Sequence, residues 1–438
     1  MGNDKIIVGL DIGTTKICAL VGKKNAHGKL EVLGMGQAVS DGVVRGMVTN
    51  IDKTVIAIEN AVKKAEDSSH IDINVVNVGI AGRHIQSTSH RGSITRDTVD
   101  EEITVEDVAK LTSDMYRIVT PPGSEIIHAM PQNYTVDYEG GIKDPVGMSG
   151  VKLEADFHII TAKTNAINNV YKCIKRAGLV VDNLILEPLA SSLAVLSDEE
   201  KEAGVCLVDI GGGTVDIAIF YDAIICHTAV IPFGGKIITT DIKQGCMVME
   251  HQAELLKTKF GKAIAEEAGN HELITIPGLR SRTPKEVSVQ NLACIIEARM
   301  EEILELIHIE IITSGVQDKL AAGIVVTGGG AQLRHVQQLF EYITGLDTRI
   351  GYPNEHLGQG KRDEVKSPMH ATSVGLVLAG FKALDYREEY YKTSKSAVRI
   401  AANRQNNKQE KQAPDFFRRM LNKTKGLLID DYDGKKGY

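Results

Sequence analysis

One local pattern occurs twice in this chain of 438 residues. Residues 6–21 read IIVGLDIGTTKICALV, and residues 205–220 read VCLVDIGGGTVDIAIF. Each copy is an apolar run ending in Asp-Ile-Gly, followed by a turn rich in Gly or Thr and a second apolar run. Short apolar runs bounded by such turns predict strands, so each copy predicts a strand–turn–strand hairpin. The repetition predicts an α/β fold built from two related halves.

The turn of each hairpin has the composition of a phosphate-binding loop. Glycine permits positive φ, and successive backbone N–H groups in such turns can point toward an anion. Thr14, Thr15 and Thr214 add hydroxyl donors, and Asp11 and Asp209 lie where the first strand of each hairpin ends. Two carboxylates beside two such turns suit a hydrated Mg²⁺ that bridges phosphate oxygens. Either turn alone would more often be an ordinary hairpin, and only the repetition favours phosphate binding.

A third glycine-rich strand end reads VVTGGGAQL at residues 325–333. It fits an adenosine site, because bare backbone lets a flat base approach closely. The chain has neither the GxxxxGK[ST] P-loop nor a GxGxxG dinucleotide turn. The sequence therefore predicts a nucleotide cleft of another kind.

The bulk composition excludes several classes of protein. Hydrophobic residues make up 43% and charged residues 24%, as in soluble globular proteins, and the net charge of −7 argues against a nucleic-acid partner. The 6 cysteines are scattered without a CxxC pair, which is typical of reduced thiols in a cytoplasmic protein. The first residues lack the apolar core of a signal peptide, and no apolar run is long enough to span a bilayer. We therefore expect any membrane contact to be peripheral.

The residue composition changes in two regions outside the repeats. Residues 84–162 are polar, contain a helix-like stretch at 104–119, and continue as short strands separated by prolines. This block predicts an insertion with its own small α+β fold. From about residue 392 the chain is rich in Lys, Asn, Gln and Arg, which predicts a flexible linker. Elsewhere, apolar spacing predicts helices at 51–67, 166–177, 247–268, 288–313 and 369–384, with a loop at 269–287.

An isolated apolar cluster between Phe416 and Ile429 follows the linker. On a helical projection its rings and leucines fall on one side and its basic residues on the other. This predicts an amphipathic helix in a membrane interface, next to a basic linker that favours anionic headgroups. The alternative is a helix that docks on its own globular domain or on a partner. The residues expected to meet lipid are Phe416, Phe417, Arg418, Arg419, Met420, Leu421, Lys423, Leu427 and Leu428.

The hairpins and the third glycine run together resemble the actin-like ATPases, in which two related halves clamp ATP. The resemblance implies phosphate hairpins at 11–16 and 209–214, an adenosine loop at 328–332, and connecting helices at 187–196 and 371–380. It implies ATP-binding residues Asp11, Gly13, Thr14, Thr15, Lys16, Gly211, Gly212, Gly213, Thr214, Gly235, Glu254, Lys257, Gly328, Gly329, Gly330 and Gln332.

The resemblance also implies roles for individual residues. Asp11 and Asp209 would be the metal ligands, and Asp209 and Glu187 would act in catalysis, Glu187 by orienting the attacking water. Glu187 has an alternative interpretation as a surface acid before a helix with Pro in its first turn. Glu254 and Lys257 resemble a pair that reaches the ribose and base, although they could equally be an i,i+3 surface pair.

Longer stretches are similar to one branch of that superfamily, the FtsA proteins of bacterial cell division. These stretches are GLDIGTTKI, GVVRGMVTNID at 42–52, IAGRHI at 80–85, IIEARMEEI at 295–303 and RIGYP at 349–353. The resemblance places the FtsA subdomain 1C at the insertion. It implies subdomain 1A at 1–83 and 163–198, 1C at 84–162, 2A at 199–231 and 305–385, 2B at 232–304, a linker at 386–413 and a membrane-targeting tail at 414–438.

The FtsA resemblance implies an ATP-binding, peripheral protein on the cytoplasmic side of the membrane at the division site. Such a protein would polymerise into actin-like filaments, anchor the FtsZ ring, recruit later division proteins and have at most weak ATPase activity. The C-terminal peptide of FtsZ would bind at 232–304, with Arg299 and Glu302 as expected contacts, although exposed helical charges are usually only solvated. The alternatives are an MreB-like filament protein and a phosphotransferase of the same superfold.

Overall fold

The computed structural model describes residues 5–96, 102–269, 271–277, 283–358 and 362–388. The chain divides into two compact units, Met1–Phe381 and Lys382–Tyr438, and the first contains both hairpins and the insertion. The predicted tail at 414–438 lies outside the described residues, as does most of the linker predicted at 386–413. Within the described ranges, no helix is both long enough and apolar enough to cross a membrane.

The first half is interrupted by the insertion. Before it come β1 (Ile6–Ile12), β2 (Lys16–Lys24), β3 (Leu30–Val39), β4 (Val43–Val44), β5 (Met47–Val48), α1 (Ile51–Ser69) and β6 (Val75–Ile80). The insertion contains β7 (Ile85–Thr95), α2 (Val105–Met115), β8 (Ser124–Val136), β9 (Glu139–Ile142) and β10 (Lys152–Lys163). After it come α3 (Thr164–Arg176), β11 (Val180–Leu186), α4 (Glu187–Val195) and α5 (Asp198–Ala203).

The second half follows α5 without interruption. It begins with β12 (Val205–Ile210), β13 (Val215–Tyr221), β14 (Ile224–Ile231), α6 (Gly235–Gly245) and α7 (Glu250–Phe260). It continues with β15 (Leu273–Ile276), β16 (Lys285–Ser288), α8 (Val289–Thr313), β17 (Ile324–Thr327), α9 (Val336–Thr344), β18 (Thr348–Ile350) and α10 (Arg362–Val365). A helix over residues 371–388, α11, ends the described chain.

The two halves have the same sheet topology. The strand order is β3-β2-β1-β6-β11 in the first half and β14-β13-β12-β17-β18 in the second. In each sheet, three strands in antiparallel pairs are followed by two parallel strands. The prediction of two related α/β halves is therefore confirmed.

Helix α1 packs on the first sheet through regularly spaced apolar residues. Asn50 caps the helix by accepting a hydrogen bond from the backbone N–H of Lys53. Its buried positions recur every three or four residues and pack against the first sheet. A Cβ added to Gly36 on β3 would lie 2.0 Å from the carbonyl oxygen of Ala61, so glycine is needed for this close approach. The helix predicted at 51–67 is confirmed.

The insertion folds around a core of its own. Its strands form a four-stranded sheet in the order β7-β10-β8-β9, and α2 packs on that sheet. Thr104 and Asp107 form a capping box that starts α2. Large side chains such as Phe157 and Leu153 are fully buried between the helix and the sheet. The small α+β fold predicted for this block is confirmed.

The region between α5 and α8 differs from the prediction. The helix predicted at 247–268 ends at Phe260, because Gly261 breaks it and the next residues form turns. The predicted loop at 269–287 contains the paired strands β15 and β16. Helix α6 was not predicted, since its β-branched residues and glycines have weak helix propensity. Its buried side chains pack into the core of the second half, which outweighs that propensity.

Candidate functional site

The two hairpins share one register. Asp11 on β1 pairs with Cys18 on β2, and Asp209 on β12 pairs with Asp216 on β13. Each of the two predicted aspartates is the second-to-last residue of its strand. Both carboxylates therefore lie beside a hairpin turn, as the repeat predicts.

The turns of the two hairpins lie against each other. A Cβ added to Gly213 would lie 2.3 Å from Thr14 Oγ1, and a Cβ added to Gly212 would lie 2.3 Å from Thr15 Cγ2. Neither glycine has positive φ, and nor does Gly211. The expectation that these turns use glycine for positive φ is therefore wrong. Gly212 and Gly213 are required because no side chain fits between the hairpins at these two positions.

A cavity of about 110 Å³ lies between the turns. Residues from both hairpins, the third glycine run and the start of α4 line it. The predicted site residues that it brings together are Asp11, Gly13, Thr14, Thr15, Lys16, Glu187, Asp209, Gly211, Gly212, Gly213, Thr214, Gly328 and Gly329.

Hydroxyl groups from two helices hold the aspartates of this cavity. Ser191 Oγ on α4 donates to Asp209 Oδ2 at 2.7 Å, and Thr372 Oγ1 on α11 donates to the same oxygen at 3.1 Å. Ser373 Oγ donates to Asp11 Oδ2 at 3.4 Å. Asp209 is therefore the more firmly held of the two carboxylates.

Helices α4 and α11 touch through their backbones beside these hydroxyls. A Cβ added to Gly375 on α11 would lie 1.8 Å from the carbonyl oxygen of Ala190 on α4. These helices are the ones that the sequence predicts at 187–196 and 371–380, so both helix predictions are confirmed. Their contact brings the hydroxyl donors to both hairpins.

Four carboxyl groups share the small cavity. Burial, followed by the nearby charge of Asp209, raises the pKa of Asp216 to about 8. Burial raises the pKa of Asp11 to about 6, against the opposing effect of Lys16. Burial and then the neighbouring aspartates, Asp11 first, raise the pKa of Glu187 well above its usual value. The cavity therefore crowds carboxyl groups together, and a bound cation would lower their raised pKa values.

The donor set of the cavity fits a magnesium ion that keeps part of its water shell. Asp216 Oδ1 is buried and has no hydrogen-bond partner in the described part of the protein. Across the described ranges, no three His, Cys, Asp or Glu side chains are grouped so that they could hold a metal ion. Mg²⁺ typically binds one or two carboxylates and completes its shell with water and phosphate oxygens. These carboxylates therefore fit Mg²⁺ better than a metal enclosed by protein.

Lys16 is the basic side chain that lines the small cavity. Its Nζ donates to the carbonyl oxygen of Met369 at 2.6 Å and lies 3.5 Å from His370 Nδ1. Burial and then the Lys16 charge lower the pKa of His370 to about 3, so this imidazole is neutral at physiological pH. The equivalent position of the second hairpin is Thr214, so only the first hairpin supplies a cation.

A larger cavity of about 800 Å³ adjoins the first. Both cavities are lined by Thr14, Thr15, Gly211, Gly212, Gly329 and Met369. The remaining predicted site residues line the larger one, and these are Gly235, Glu254, Lys257, Gly330 and Gln332.

Glu254 and Lys257 form part of a network rather than an isolated surface pair. Lys257 Nζ lies 2.8 Å from Glu254 Oε2 and donates to the carbonyl oxygen of Gly235 at 2.9 Å. Thr239 Oγ1 lies 2.8 Å from the same Nζ and 2.5 Å from Glu254 Oε2. The network fixes both charged groups at the wall of the larger cavity.

The third glycine run connects the two cavities. Gly328 has φ of +84°, and a Cβ there would lie 2.3 Å from Asp209 Oδ1. Residues Gly329–Gln332 form a 3-10 turn. No atom lies within 4 Å of a Cβ added to Gly329, which lines both cavities. The bare backbone expected from the sequence therefore faces open space.

Arg299 and Glu302 lie away from both cavities, on α8. The Arg299 guanidinium binds Asp241 on α6 through Nε at 2.6 Å and Nη2 at 3.2 Å, and it also pairs with Glu302. These contacts join α6 to α8. The contact of these two residues with a peptide stays a prediction, and the nine tail residues predicted to meet lipid lie outside the described residues.

Sequence reasoning missed several residues of the site. Asp216 carries a visible signal, because it is a lone carboxylate inside the apolar run VDIAIF. Ser191, Thr372 and Thr239 carry none, since small hydroxyls are common in helices and only tertiary contacts bring these to the site. Ser373 is missed for the same reason.

Comparison with known proteins identifies the family. The family described as Cell division protein FtsA matches residues 206–375, and the SHS2 domain inserted in FTSA matches residues 82–161. Cell division protein FtsA of Pseudomonas aeruginosa is 42% identical over 378 residues, which are 86% of this chain and 90% of that protein. Its Escherichia coli K12 counterpart is 36% identical over 383 residues, or 86% and 90% of the two chains.

A solved structure supports the fold independently. The PilM-PilN type IV pilus biogenesis complex contains a chain that superposes with a TM-score of 0.62 at 16% identity. The match covers 85% of this chain and 98% of that one, and at such low identity it bears on the fold alone. By sequence and fold, the chain belongs to the FtsA family of cell-division proteins, with an actin-like α/β fold and an inserted SHS2 domain.

Proposed function

We propose that this member of the FtsA family binds Mg-ATP between its two halves and uses the nucleotide to control its own assembly at the division site. The observation that carries the proposal is the contact between the glycine turns, which encloses an acidic cavity where the halves meet. A ligand that bridges both hairpins binds best when the halves are close. It therefore shifts the protein toward a closed form by its difference in affinity for the two forms.

The two adjoining cavities suit the two parts of ATP. The smaller one, with hydroxyls, turn backbone and Lys16, suits the phosphate groups. The larger one, at about 800 Å³, has room for the nucleoside. There the 3-10 turn Gly329–Gln332 would face the base, while Glu254 and Lys257 would meet the ribose and base.

The acidic side chains have separate roles in this proposal. Asp11 and Asp209 would hold Mg²⁺, which when bound would neutralise charge on the phosphate oxygens. Glu187, whose side chain lines the smaller cavity, would orient a water by hydrogen bonding. We expect at most weak ATPase activity, as the resemblance to FtsA implies.

Family membership supports the remainder of the proposal. We expect association into actin-like filaments, recruitment of later division proteins, and binding of the FtsZ C-terminal peptide by residues 232–304, the 2B subdomain. Residues 414–438 would anchor the protein at the cytoplasmic face of the membrane. Since Arg299 already binds Asp241, the peptide would have to share this guanidinium or displace Asp241.

Binding of ATP to the nucleotide-free protein tests the central claim. We expect Mg-ATP to bind, EDTA to weaken binding, and Asp209→Ala to lower the affinity about 100-fold. Asp72→Ala, which removes an exposed carboxylate, is the matched control. Unchanged Mg-ATP affinity in Asp209→Ala would overturn the site. Fast ATP consumption stimulated by a metabolite would instead favour a phosphotransferase.

Flotation with anionic liposomes tests the anchor. Full-length protein is expected to float, and a variant lacking residues 414–438 is expected to stay at the bottom of the gradient. A variant with the same 25 residues scrambled keeps the tail's composition and charge but loses its apolar face, and it should also fail to float. Equal flotation of the full-length and truncated proteins would exclude the tail as the anchor.

A pull-down with the FtsZ C-terminal peptide tests the partner. The full-length protein is expected to be retained, and Arg299→Ala is expected to weaken retention. Lys319→Ala, a basic residue outside 232–304, is the control. Failure of the wild-type protein to bind the peptide would favour an MreB-like filament protein that needs no such partner.

A further inference from the structure

Helix α4 starts in the candidate site without a side chain of its own to cap it. Its N-cap residue is Leu186, no side-chain hydrogen bond caps the helix, and Pro188 occupies the first turn. Leu186 is also the last residue of β11, an edge strand of the first sheet. Its backbone N–H donates to His128 Nε2 at 3.0 Å. A residue of the inserted domain therefore holds the junction between β11 and α4.

The chemistry of His128 suits this contact. The side chain is half-buried on β8, and burial lowers its pKa to about 4. The imidazole is therefore neutral near physiological pH, with one ring nitrogen protonated and the other free to accept. Because Nε2 accepts from Leu186, the proton belongs on Nδ1.

The first turns of α4 carry two groups of the nucleotide site. Glu187 directly follows Leu186, and a Cβ added to Gly79 would lie 3.0 Å from Glu187 Cγ and 3.3 Å from its Oε1. Ser191, one helical turn later, donates to Asp209. The carboxyl of Glu187 thus has little room to shift, and a displaced α4 would move both groups.

The inserted domain also contacts the second half. Gln132 Nε2, on the same strand as His128, donates to the carbonyl oxygen of Ile225 on β14 at 2.7 Å. His158 Nε2 on β10 lies 3.0 Å from Thr228 Oγ1, also on β14. The insertion is therefore attached to both halves, and one of its contacts with the first half is at the start of α4.

From these contacts we propose that His128 is a positioning residue of the nucleotide site, which sets the start of α4 and so links the inserted domain to Glu187 and Asp209. The link to nucleotide rests on the proposed function, whereas the contact with α4 does not. A partner that moves the inserted domain would change nucleotide binding through this hydrogen bond.

Full-length variants test the contact without nucleotide. His128→Phe keeps a ring but removes the acceptor, and His128→Gln retains an acceptor at a similar distance. Hydrogen exchange over residues 180–195 should be about 5-fold faster in His128→Phe, since one hydrogen bond is lost, and near wild type in His128→Gln. His90→Phe, at an exposed histidine of β7, is the matched control and should change nothing. Unchanged exchange in His128→Phe would overturn the proposal.

Mg-ATP affinity tests the link to the site. We expect about 5-fold weaker binding in His128→Phe, recovery in His128→Gln, and no change in His90→Phe. Combining His128→Phe with Ser191→Ala should give less than the product of the two effects, because both act through α4. Full affinity in a His128→Phe protein with faster exchange at α4 would reject the link. If the wild-type protein fails to bind Mg-ATP, the proposed function fails, and hydrogen exchange still decides whether His128 positions α4.

Discussion

The two hairpins share backbone pairing but differ in the side chains they bring to the cavity. The first pairs Asp11 with Cys18 and has Thr14 and Thr15 in its turn. The second pairs Asp209 with Asp216, and its turn is three glycines followed by Thr214. The glycines of the second turn leave space without side chains, and the side chains of Thr14 and Thr15 from the first turn occupy that space. The repeat is thus a pair of complementary surfaces rather than two equal phosphate loops.

The electrostatic contrast follows the same division. The first hairpin has one carboxylate and Lys16, while the second has two carboxylates and no cation. Asp209 accepts hydrogen bonds from two hydroxyl groups, whereas Asp11 accepts a single, longer hydrogen bond from Ser373. The second hairpin therefore has more carboxyl groups and more hydroxyl donors to them than the first. Substitutions that exchange or remove these groups should therefore have unequal effects, and the largest is expected for a second acid in the first hairpin.

Giving the first hairpin the acid of the second should be the most damaging change. Cys18 is fully buried opposite Asp11, so Cys18→Asp would place a second carboxyl there without the Thr214 hydroxyl that donates to Asp216 in the second hairpin. We expect the free energy of unfolding at neutral pH to fall by about 3 kcal/mol or more. Chemical denaturation measures it, with Cys18→Asn as the uncharged control. Equal losses in both variants would show that charge is not the cause.

A side chain on the second turn should separate the hairpins. In Gly213→Ala the new Cβ would collide with Thr14, at a cost of about 2 kcal/mol in the free energy of unfolding. Gly140→Ala is the control, because the atom nearest to a Cβ added there is Thr135 Oγ1 at 3.5 Å. Adding Thr14→Gly to Gly213→Ala exchanges the roles of the two turns and should recover part of the loss. No recovery would mean that Thr14 is not the group that the new methyl meets.

Asp216 should make stability fall with rising pH in the protein without metal or nucleotide. Its pKa is raised to about 8, so between about pH 4 and 8 the folded protein keeps a proton that the unfolded chain has lost. Stability from this group is present at low pH and lost as pH rises toward 8. Asp216→Asn should reduce the decline between about pH 6.5 and 7.5 by about 1 kcal/mol. Denaturation across pH in EDTA measures this, and parallel profiles for wild type and variant would contradict it.

The unequal support of the two aspartates should give the smallest effects. Ser191→Ala removes a 2.7 Å bond to Asp209 and should weaken Mg-ATP binding about 5-fold. Ser373→Ala removes the 3.4 Å contact with Asp11 and should change affinity less than about 2-fold. Titration calorimetry compares the two directly. A larger effect in Ser373→Ala would reverse the assignment of Asp209 as the firmly held carboxylate.

Much of the site was predictable because its parts are local in sequence. The hairpin residues and the third glycine run belong to short continuous motifs. Every residue of these motifs that was predicted to bind ATP lines one of the two cavities. Helix α6 was not predicted, because tertiary burial there outweighs weak helix propensity. The strands β15 and β16 were not predicted, because each has only 4 residues, most of them not buried, and forms by pairing with the other. Ser191 and Thr372 were not predicted either, because their roles arise only where α4 and α11 cross.

The repeat by itself determined that this chain has two related halves and which aspartates and glycines lie at their hairpins. Backbone pairing and apolar burial act within each hairpin, so a short stretch of sequence specifies them. Only the tertiary structure decided why the glycines are needed, which hydroxyls hold Asp209, and that His128 of the insertion reaches α4. Those properties depend on distances between segments far apart in the chain, and such distances are set by how the sheets and helices pack together.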